Sequence, residues 1–388
     1  MKTTLFLPDG VEDLLHPEAW QFEKLRRKVL DLFVRWGFQY VEPPVVEYLD
    51  ALLVASGADL DLQTLKALDQ VSGRQLGIRA DLTSQVIRID TQRYGGRGTQ
   101  RYCYAGPVVY ASPVSANKSR NPFKAGVEIF GAGTVAADAE VVNLMLEVAR
   151  MNGIVEPVLL LGHMGIYKAL MEALVEVGDL ASEDEPKLFR SIQLKSQSDV
   201  GRLLRPSPLS DFMKKLPMTM GNELDVIASE MQGAPEGVGR AVSELRDLLE
   251  LIDISEASLR FDVAELTGYG YHNGPVYSLY HPKFGSALAQ GGRYNGLAHA
   301  DKDTNRPATG FDMDLRMFLS EIQPLVEELI FAPFGDEDNR DDLMNLVAKL
   351  RTKGKNVVCA LSPTEEASEF CTHYLSYKSG EWTIAESV

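Results

Sequence analysis

Asp81 and Thr83 are two polar residues whose spacing could serve the binding of a cation. On a β-strand, side chains two positions apart lie on the same face, so this carboxylate and hydroxyl could together bind an ammonium group, with Arg79 beside them. The same residues fit the start of a helix, because Thr83 is a favourable N-cap for the segment that follows. The sequence leaves both interpretations open.

A second segment, residues 291–297, has the sequence Gly-Gly-Arg-Tyr-Asn-Gly-Leu and follows a predicted strand. Paired glycines let another group approach the backbone closely, and Arg293 and Tyr294 add a charge and an aromatic hydroxyl beside them. A tight hairpin end with a solvated arginine accounts for the pattern equally well.

A third segment has the spacing of the dinucleotide-binding fingerprint, with Gly131, Gly133 and Ala136 between a predicted strand and a predicted helix. Bare backbone at a helix N-terminus can accept a pyrophosphate. The acidic residue that should end the next strand is not clearly present, since Glu156 precedes Pro157. A plain strand-to-helix turn is therefore the favoured interpretation. The sequence has no P-loop, no G-x-S-x-G elbow and no Cys/His cluster with metal-ligand spacing.

Hydrophobic spacing predicts the elements that must position these residues. A helix is predicted from Pro17, and residues 74–133 have the pattern of strands and turns. Within that region, alternation places Glu128 on the opposite sheet face from Val127 and Ile129. Glu128 is therefore expected to lie away from the apolar core.

The remaining pattern predicts the domain organisation. Asp138 is expected to cap a helix, residues 165–255 have mainly helical spacing, and strand signals return at residues 261–291. This order predicts an α+β core over residues 1–323 that is interrupted by a helical insertion. Residues 324–388 are predicted to form a small C-terminal α/β domain.

Composition limits the partners. The 388 residues include 39 Lys and Arg against 55 Asp and Glu, a net charge of −16, which disfavours a nucleic-acid partner. The apolar runs are too short to cross a bilayer, so no membrane association is expected. Cys103, Cys359 and Cys371 are odd in number and mostly distant in sequence, which predicts free thiols and a cytoplasmic location.

Five sequence features, in this order, resemble the catalytic core of histidyl-tRNA synthetase. They are an opening signature at Pro8, Gly10 and Asp13, motif 1 at residues 37–47, the amino-acid loop and motif 2 at residues 78–140, the glycine-rich segment 291–297, and motif 3 at residues 307–318. The resemblance covers about residues 8–320. It implies a class II aminoacyl-tRNA synthetase-like fold, an antiparallel sheet with flanking helices and a helical insertion.

The chain departs from this family where the family binds ATP. Tyr110 stands where motif 2 has its arginine, Ser112 where it has its glutamate, and Met317 where motif 3 has its arginine. Arg316 is one position off, and helical geometry would turn it about 100° away. Thr267 replaces a further arginine that assists adenylation. Each lost donor costs about 3 kcal/mol of transition-state stabilisation, so the resemblance implies a non-catalytic relative.

The amino-acid pocket of the family is better matched. Asp81, Thr83, Glu128, Tyr271 and Tyr294 correspond to pocket residues, while Lys124 and His272 replace a glutamine and a tyrosine. The resemblance therefore implies a histidine-binding site. Its candidate residues are Asp81, Thr83, Tyr110, Lys124, Glu128, Thr267, Tyr271, His272 and Tyr294.

These departures resemble those of one group of synthetase paralogues, the regulatory subunits of ATP phosphoribosyltransferase. That resemblance implies a short-form catalytic subunit as partner, which would carry the transfer chemistry and the Mg²⁺, with no cofactor on this chain. It further implies dimers formed through motif 1, hetero-octamers of four regulatory and four catalytic chains, and L-histidine as effector. Residues 326–388 hold six Lys and Arg against twelve Asp and Glu, which suits tRNA poorly. The alternatives are an active histidyl-tRNA synthetase and another amino-acid-sensing paralogue.

Overall fold

The computed structural model describes residues 6–53, 58–94, 97–113, 119–266, 272–299, 302–321 and 328–386. These residues belong to two compact units, Met1–Ile322 and Gln323–Val388. Within the described residues, no helix is both long enough and apolar enough to cross a membrane.

The first unit is built on a nine-stranded sheet with the order β1-β5-β6-β12-β11-β10-β7-β9-β8, beside a three-stranded sheet with the order β2-β4-β3. The strands are β1 Gln39–Tyr40, β2 Val46–Tyr48, β3 Leu65–Leu68, β4 Gln75–Ile78, β5 Gln100–Pro107, β6 Phe123–Phe130, β7 Val158–His163, β8 Met220–Gly221, β9 Ser258–Asp262, β10 His272–Tyr280, β11 Ala289–His299 and β12 Lys302–Asp314. The β1–β5 and β7–β9 pairs are parallel and the other pairs of the large sheet are antiparallel. The predicted class II synthetase-like α+β fold is thus confirmed, with two parallel pairs in a mainly antiparallel sheet.

Helices cover the sheet and form the insertion. They are α1 Glu18–Arg35, α2 Leu49–Leu53, α3 Ala58–Gln63, α4 Thr83–Tyr94, α5 Val135–Met151, α6 Met164–Glu176, α7 Glu185–Gln193, α8 Gln197–Leu203, α9 Pro208–Lys215, α10 Leu224–Glu230 and α11 Glu236–Leu251, with 3₁₀ helices at Ser182–Asp184, Leu216–Met218 and Leu315–Glu321. The predicted helical region thus contains α6 to α11, together with the short strand β8. Gly37, at a φ of 85°, follows α1 as a C-terminal glycine should.

Two predictions about helices have different outcomes. Helix α4 interrupts the region with strand and turn spacing, and it agrees with the helix start at Thr83 that the sequence had left open. The N-cap of α5 is Thr134, whose hydroxyl accepts a hydrogen bond from the amide of Ala137, and not Asp138. Asp138 is instead fully buried in the first turn, where a distant arginine pairs with it. A contact over that sequence distance cannot be seen in local spacing.

Strand alternation gives the large sheet an apolar core face and an opposite face, here called the polar face, on which Glu128 lies beside a smaller apolar cluster. Val127 and Ile129 of β6 are fully buried in the main core, which also holds Val29 and Phe33 of α1. Glu128 points to the other face, as predicted, and lies opposite Gly310 of β12. The core face fixes the sheet, so the polar face can hold a site in a constant geometry.

The second unit has a four-stranded sheet with the order β14-β13-β15-β16. Its elements are β13 Leu329–Ala332, α12 Arg340–Thr352, β14 Asn356–Cys359, β15 His373–Lys378 and β16 Glu381–Glu386. Helix α12 packs on one face of this sheet through Leu343 and Val347, which contact a cluster containing Ile330 and Leu375. Residues 324–388 were predicted to form a small α/β domain, and the described elements of this unit are one helix and four strands.

Candidate functional site

A cavity of about 690 Å³ lies on the polar face of the large sheet. Seven of the nine candidate residues line it, namely Asp81, Thr83, Tyr110, Lys124, Glu128, His272 and Tyr294. The other two, Thr267 and Tyr271, lie outside the described residues. Strands β6, β10 and β11, the start of α4 and the segment after β5 therefore bring together side chains that are far apart in sequence.

Glu128 is the centre of the hydrogen bonds in this cavity. Its Oε1 accepts a hydrogen bond of 3.0 Å from the hydroxyl of Thr83, and its Oε2 accepts one of 2.8 Å from the hydroxyl of Tyr294. The hydroxyl of Tyr104 lies 3.5 Å from Oε1. Gly310 leaves the room for this group, because a Cβ there would lie 1.9 Å from Oε2. Glu128 is thereby held at one position by side chains from β5, β11 and α4.

Burial raises the pKa of two acids of the cavity, Glu128 and Asp81, towards neutral pH. It raises the pKa of Glu128 from 4.5 to about 8, and the charges of Asp81 and Asp312 add to the rise against the hydrogen bonds from Tyr294 and Thr83. Burial and the charge of Asp312 likewise raise the pKa of Asp81 from 3.8 to about 6. A cationic ligand would offset the cost of ionising these buried carboxyl groups, because its charge favours the carboxylates.

The structure combines the two interpretations of Asp81 and Thr83. Thr83 is the first residue of α4 and not part of a strand. Its hydroxyl donates to Glu128 and does not cap the helix, whereas the carboxylate of Asp81 accepts a hydrogen bond of 2.8 Å from the amide of Leu82. Both side chains still reach the same cavity. The helix start, rather than strand alternation, is what brings them together.

Lys124 forms an ion pair with Asp312 across the β6–β12 pair. Burial by itself would lower the pKa of Lys124, but the charge of Asp312, supported by Tyr110 and Asp314, raises it above its usual value. Asp312 was not among the candidate residues. It lies opposite Gly126, two positions from Lys124, so only the strand register could have identified it.

The comparisons with known proteins agree over both units. The family model for histidyl-tRNA synthetase matches residues 10–318, and the model for the ATP phosphoribosyltransferase subunit HisZ C-terminal domain matches residues 327–385. An ATP phosphoribosyltransferase regulatory subunit of Ectopseudomonas mendocina (strain ymp) is 37% identical, with 98% of this chain and 97% of that protein covered. The chain belongs to the family of ATP phosphoribosyltransferase regulatory subunits. Another relative of that name, from Chromohalobacter salexigens, is 40% identical, with 97% of each chain covered.

Solved structures of a regulatory subunit/histidyl-tRNA synthetase and of a histidyl-tRNA synthetase are similar in fold to this chain. An ATP phosphoribosyltransferase regulatory subunit/histidyl-tRNA synthetase from Bacillus halodurans C superposes with a TM-score of 0.78 at 26% identity, over 92% of this chain and 93% of that one. Histidyl-tRNA synthetase from Nostoc sp. PCC 7120 gives a TM-score of 0.76 at 14% identity, over 99% and 97%. The second likeness shows a shared fold only.

Of the three residues that stand at the ATP-ligand positions of motifs 2 and 3 in the sequence, two line the cavity, and none is a cation. Tyr110 lines the cavity, and burial raises the pKa of its hydroxyl to about 12, so it stays neutral. Met317 also lines the cavity, while Ser112 is exposed and does not. Asp314 also lines the cavity, but its Oδ1 already accepts hydrogen bonds of 3.1 Å from the amides of Phe123 and Arg316.

Arg316 was expected to turn away from the position of Met317, and both residues line the cavity. The segment Leu315–Glu321 forms a 3₁₀ helix directly after β12, which turns by about 120° per residue, so the two side chains reach the cavity from different directions. With Tyr110 and Met317 at two of these positions, Arg316 is the arginine of the described cavity lining.

Arg293, the charged residue of the glycine-rich segment, is neither solvated nor part of the cavity. Its Nε donates to Asp138 at 3.0 Å and its Nη1 to Glu244 at 2.8 Å, which joins β11 to α5 and α11. The hydrogen bond with His163 and the charge of Arg293 lower the pKa of Glu244 to about 2. This network links the strand that carries Tyr294 to the helical insertion.

The turn with dinucleotide-like spacing has a structural role. Gly131 has a φ of 81°, and a Cβ there would lie 2.4 Å from the carbonyl oxygen of Gly98. A Cβ on Gly133 would lie 2.8 Å from the ring of Pro307. The close approach that these glycines permit is therefore to the protein itself, which favours the plain turn.

Sequence reasoning missed three further residues of the site. Tyr104, whose hydroxyl lies beside Glu128, is one that strand alternation places on the same face as Glu128 across the β5–β6 pair. Glu12 lines the cavity from the N-terminal segment, which the amide of Asn121 holds by a hydrogen bond of 3.3 Å to the carbonyl of Glu12. Asp312 required the strand register. Only Tyr104 had a signal in the sequence.

Proposed function

We propose that this chain is the non-catalytic subunit that activates a short-form ATP phosphoribosyltransferase catalytic subunit and makes the complex responsive to L-histidine. The observation that carries the proposal is the charge of the cavity. Among the described residues that line it, five are carboxylic acids, Glu12, Asp81, Glu128, Asp312 and Asp314, and two are Lys or Arg, Lys124 and Arg316. Such a lining suits an ammonium ligand and repels a triphosphate.

The chemistry of histidine fits this lining. Its α-ammonium can be bound by Asp81, which ionises above its pKa of about 6. Its imidazole can share a proton with Glu128, whose pKa of about 8 lets it donate or accept near neutrality. Tyr294 and His272, in edge-to-face contact with ring centroids 6.4 Å apart, supply aromatic surface beside it. The cavity is also of the size that holds small ligands.

Adenylation is not supported by the same site. Joining a carboxylate to a triphosphate brings two anions together, and preorganised cations supply most of the stabilisation. Lys124 is paired with Asp312, and Tyr110 and Met317 stand at two positions where the synthetases have arginines. We therefore propose that the transfer chemistry, with its Mg²⁺, belongs to the catalytic partner.

The regulatory effect requires that histidine bind two states of the complex unequally. Couplings of about 1–3 kcal/mol between two sites change an equilibrium by about 5–150-fold, which is enough for feedback control. We propose that the Arg293 network transmits the state of the cavity, because it joins the strand of Tyr294 to Glu244 of the helical insertion.

Self-association through the motif 1 segment is part of the proposal. Strand β1 is at one end of the nine-stranded sheet, and the side chains of Tyr40, Val45 and Val46 are 40–44% exposed. Exposed apolar groups next to an edge strand suit a second copy of the chain. A complex of four regulatory and four catalytic chains would then be built from such dimers.

The test is a reconstitution. The purified chain is mixed with a short-form catalytic subunit, and the formation of phosphoribosyl-ATP is measured with and without L-histidine. We expect the rate to rise above that of the catalytic subunit alone, and histidine to lower it again. A rate that does not change on mixing would remove the main claim, and a rate that rises but ignores histidine would remove the sensing role.

An active histidyl-tRNA synthetase is the second candidate, because that family model matches residues 10–318. It predicts histidine-dependent exchange between ATP and pyrophosphate by the isolated chain. We expect no exchange above background, and clear exchange would overturn the non-catalytic assignment.

A further inference from the structure

Arg316 has an unusual environment for a cation inside the cavity wall. It is the second residue of the 3₁₀ helix Leu315–Glu321, and its side chain is 22% exposed. Its Nε and Nη1 atoms are buried, and neither has a hydrogen-bond partner among the described residues. Buried charged donors are normally hydrogen-bonded, because an unmatched one loses its hydration without compensation.

The carboxylate near Arg316 does not satisfy it. Glu12 Oε1 lies 3.7 Å from Nη1, which is too long for a hydrogen bond. The side chain of Glu12 is 67% exposed, so the ion pair is weak and the side chain is free to move towards solvent. Glu12 therefore lies near the guanidinium of Arg316 without forming a hydrogen bond to its Nη1.

Lys124 is the other Lys or Arg in the described cavity lining, and its charge is already compensated. It forms an ion pair with Asp312, and Asp314 lies close enough to add to the effect. The backbone amide of Arg316 donates to Asp314 at 3.1 Å, and the charge of Arg316 acts on the Asp314 carboxyl through space, but neither Nε nor Nη1 forms a hydrogen bond among the described residues. The guanidinium of Arg316 is thus the cation that a ligand anion would find least occupied.

From this arrangement we infer that Arg316 binds the α-carboxylate of the amino acid in the cavity. The inference deepens the proposed function and rests on it. A guanidinium matches a carboxylate with two parallel hydrogen bonds, and a lone cation suits one carboxylate rather than a triphosphate. On binding, the ligand carboxylate takes the position beside Arg316, and the Glu12 side chain moves away. The cavity therefore selects free α-amino acids over amines that lack the carboxylate.

The test compares L-histidine with histamine, which lacks the carboxylate, by titration calorimetry on the full chain. We expect Arg316→Gln to weaken histidine binding about 10- to 100-fold, the loss typical of a charged hydrogen-bonded pair, while histamine binding is unchanged. Arg316→Lys keeps the charge without the planar fork and should recover part of the affinity. Arg205→Gln, at an exposed position outside the cavity, is the matched control and should leave the binding of both ligands unchanged.

The outcomes separate the inference from the proposed function. If the wild-type chain binds histidine and Arg316→Gln retains the preference over histamine, the inference is overturned and the sensing role stands. If the folded wild-type chain binds no histidine, the sensing role falls as well. Glu12→Gln gives an independent readout, because removal of the competing carboxylate should strengthen histidine binding by up to about 5-fold. Unchanged or weaker binding in that variant would contradict the assigned role of Glu12.

Discussion

Replacement of Glu128 by glutamine perturbs the electrostatics of the cavity with little change of shape. Glutamine keeps the size of the side chain but has no carboxyl proton to lose. In the wild-type chain, burial is the main cause that raises the pKa of Glu128 from 4.5 to about 8. The charges of Asp81 and Asp312 act in the same direction, and the variant removes the whole effect.

The sign of the expected pH dependence follows from proton linkage. The ordinary pKa of this carboxyl is 4.5. Well below that pH the folded and unfolded chains both hold the proton, so the ionisation of Glu128 does not change the free energy of unfolding. Between 4.5 and about 8 the unfolded chain ionises while the folded chain keeps its proton, so the free energy of unfolding falls as the pH rises. From about pH 5 to about pH 8 the loss is about 3 kcal/mol.

The assay is urea denaturation at several pH values across this window. The stability of Glu128→Gln relative to the wild type is expected to increase by about 3 kcal/mol between about pH 5 and about pH 8. Glu250→Gln, at an exposed position of α11, should follow the wild type at every pH. Parallel stability curves for the wild type and Glu128→Gln would refute the electrostatic account of the cavity.

Two further variants test the packing that supports the site. Gly310→Ala should weaken histidine binding at least about tenfold in calorimetry, because its Cβ would lie 1.9 Å from Oε2 of Glu128; Gly285→Ala, whose Cβ meets nothing within 4 Å, is the control, and equal affinities would contradict the prediction. Arg306→Met should lower the free energy of unfolding by about 3–5 kcal/mol, because it leaves the carboxylate of Asp90 buried without its cation. A urea midpoint equal to that of the wild type would show that this pair does not stabilise the fold.

The sequence pattern predicted those features that depend only on residues close together in the chain or on the order of motifs. The alternation of Val127, Glu128 and Ile129 predicted which side chain would face the cavity, because strand geometry has a fixed period. The order of the synthetase-like motifs predicted the fold of the first unit, and the structural and family comparisons confirm it. Neither inference required knowledge of which strands pair.

Features that depend on pairing could not be predicted. The ion pair of Lys124 with Asp312 needs the β6–β12 register, and Asp138 and Arg293 are brought together only by the packing of α5 on β11. The place of Arg316 in the cavity wall follows from how the 3₁₀ helix Leu315–Glu321 packs after β12, which local spacing does not show. These are all contacts or local geometries that tertiary packing decides.

The histidine response of the reconstituted complex tests the central claim most directly. Phosphoribosyl-ATP formation is measured over a series of histidine concentrations with the wild-type chain and with Glu128→Gln bound to the same catalytic subunit. The account predicts inhibition of the wild-type complex, with at least about a tenfold rise in the half-inhibiting histidine concentration for the variant. Coincident inhibition curves would show that histidine acts elsewhere than in the cavity around Glu128, and would contradict the account.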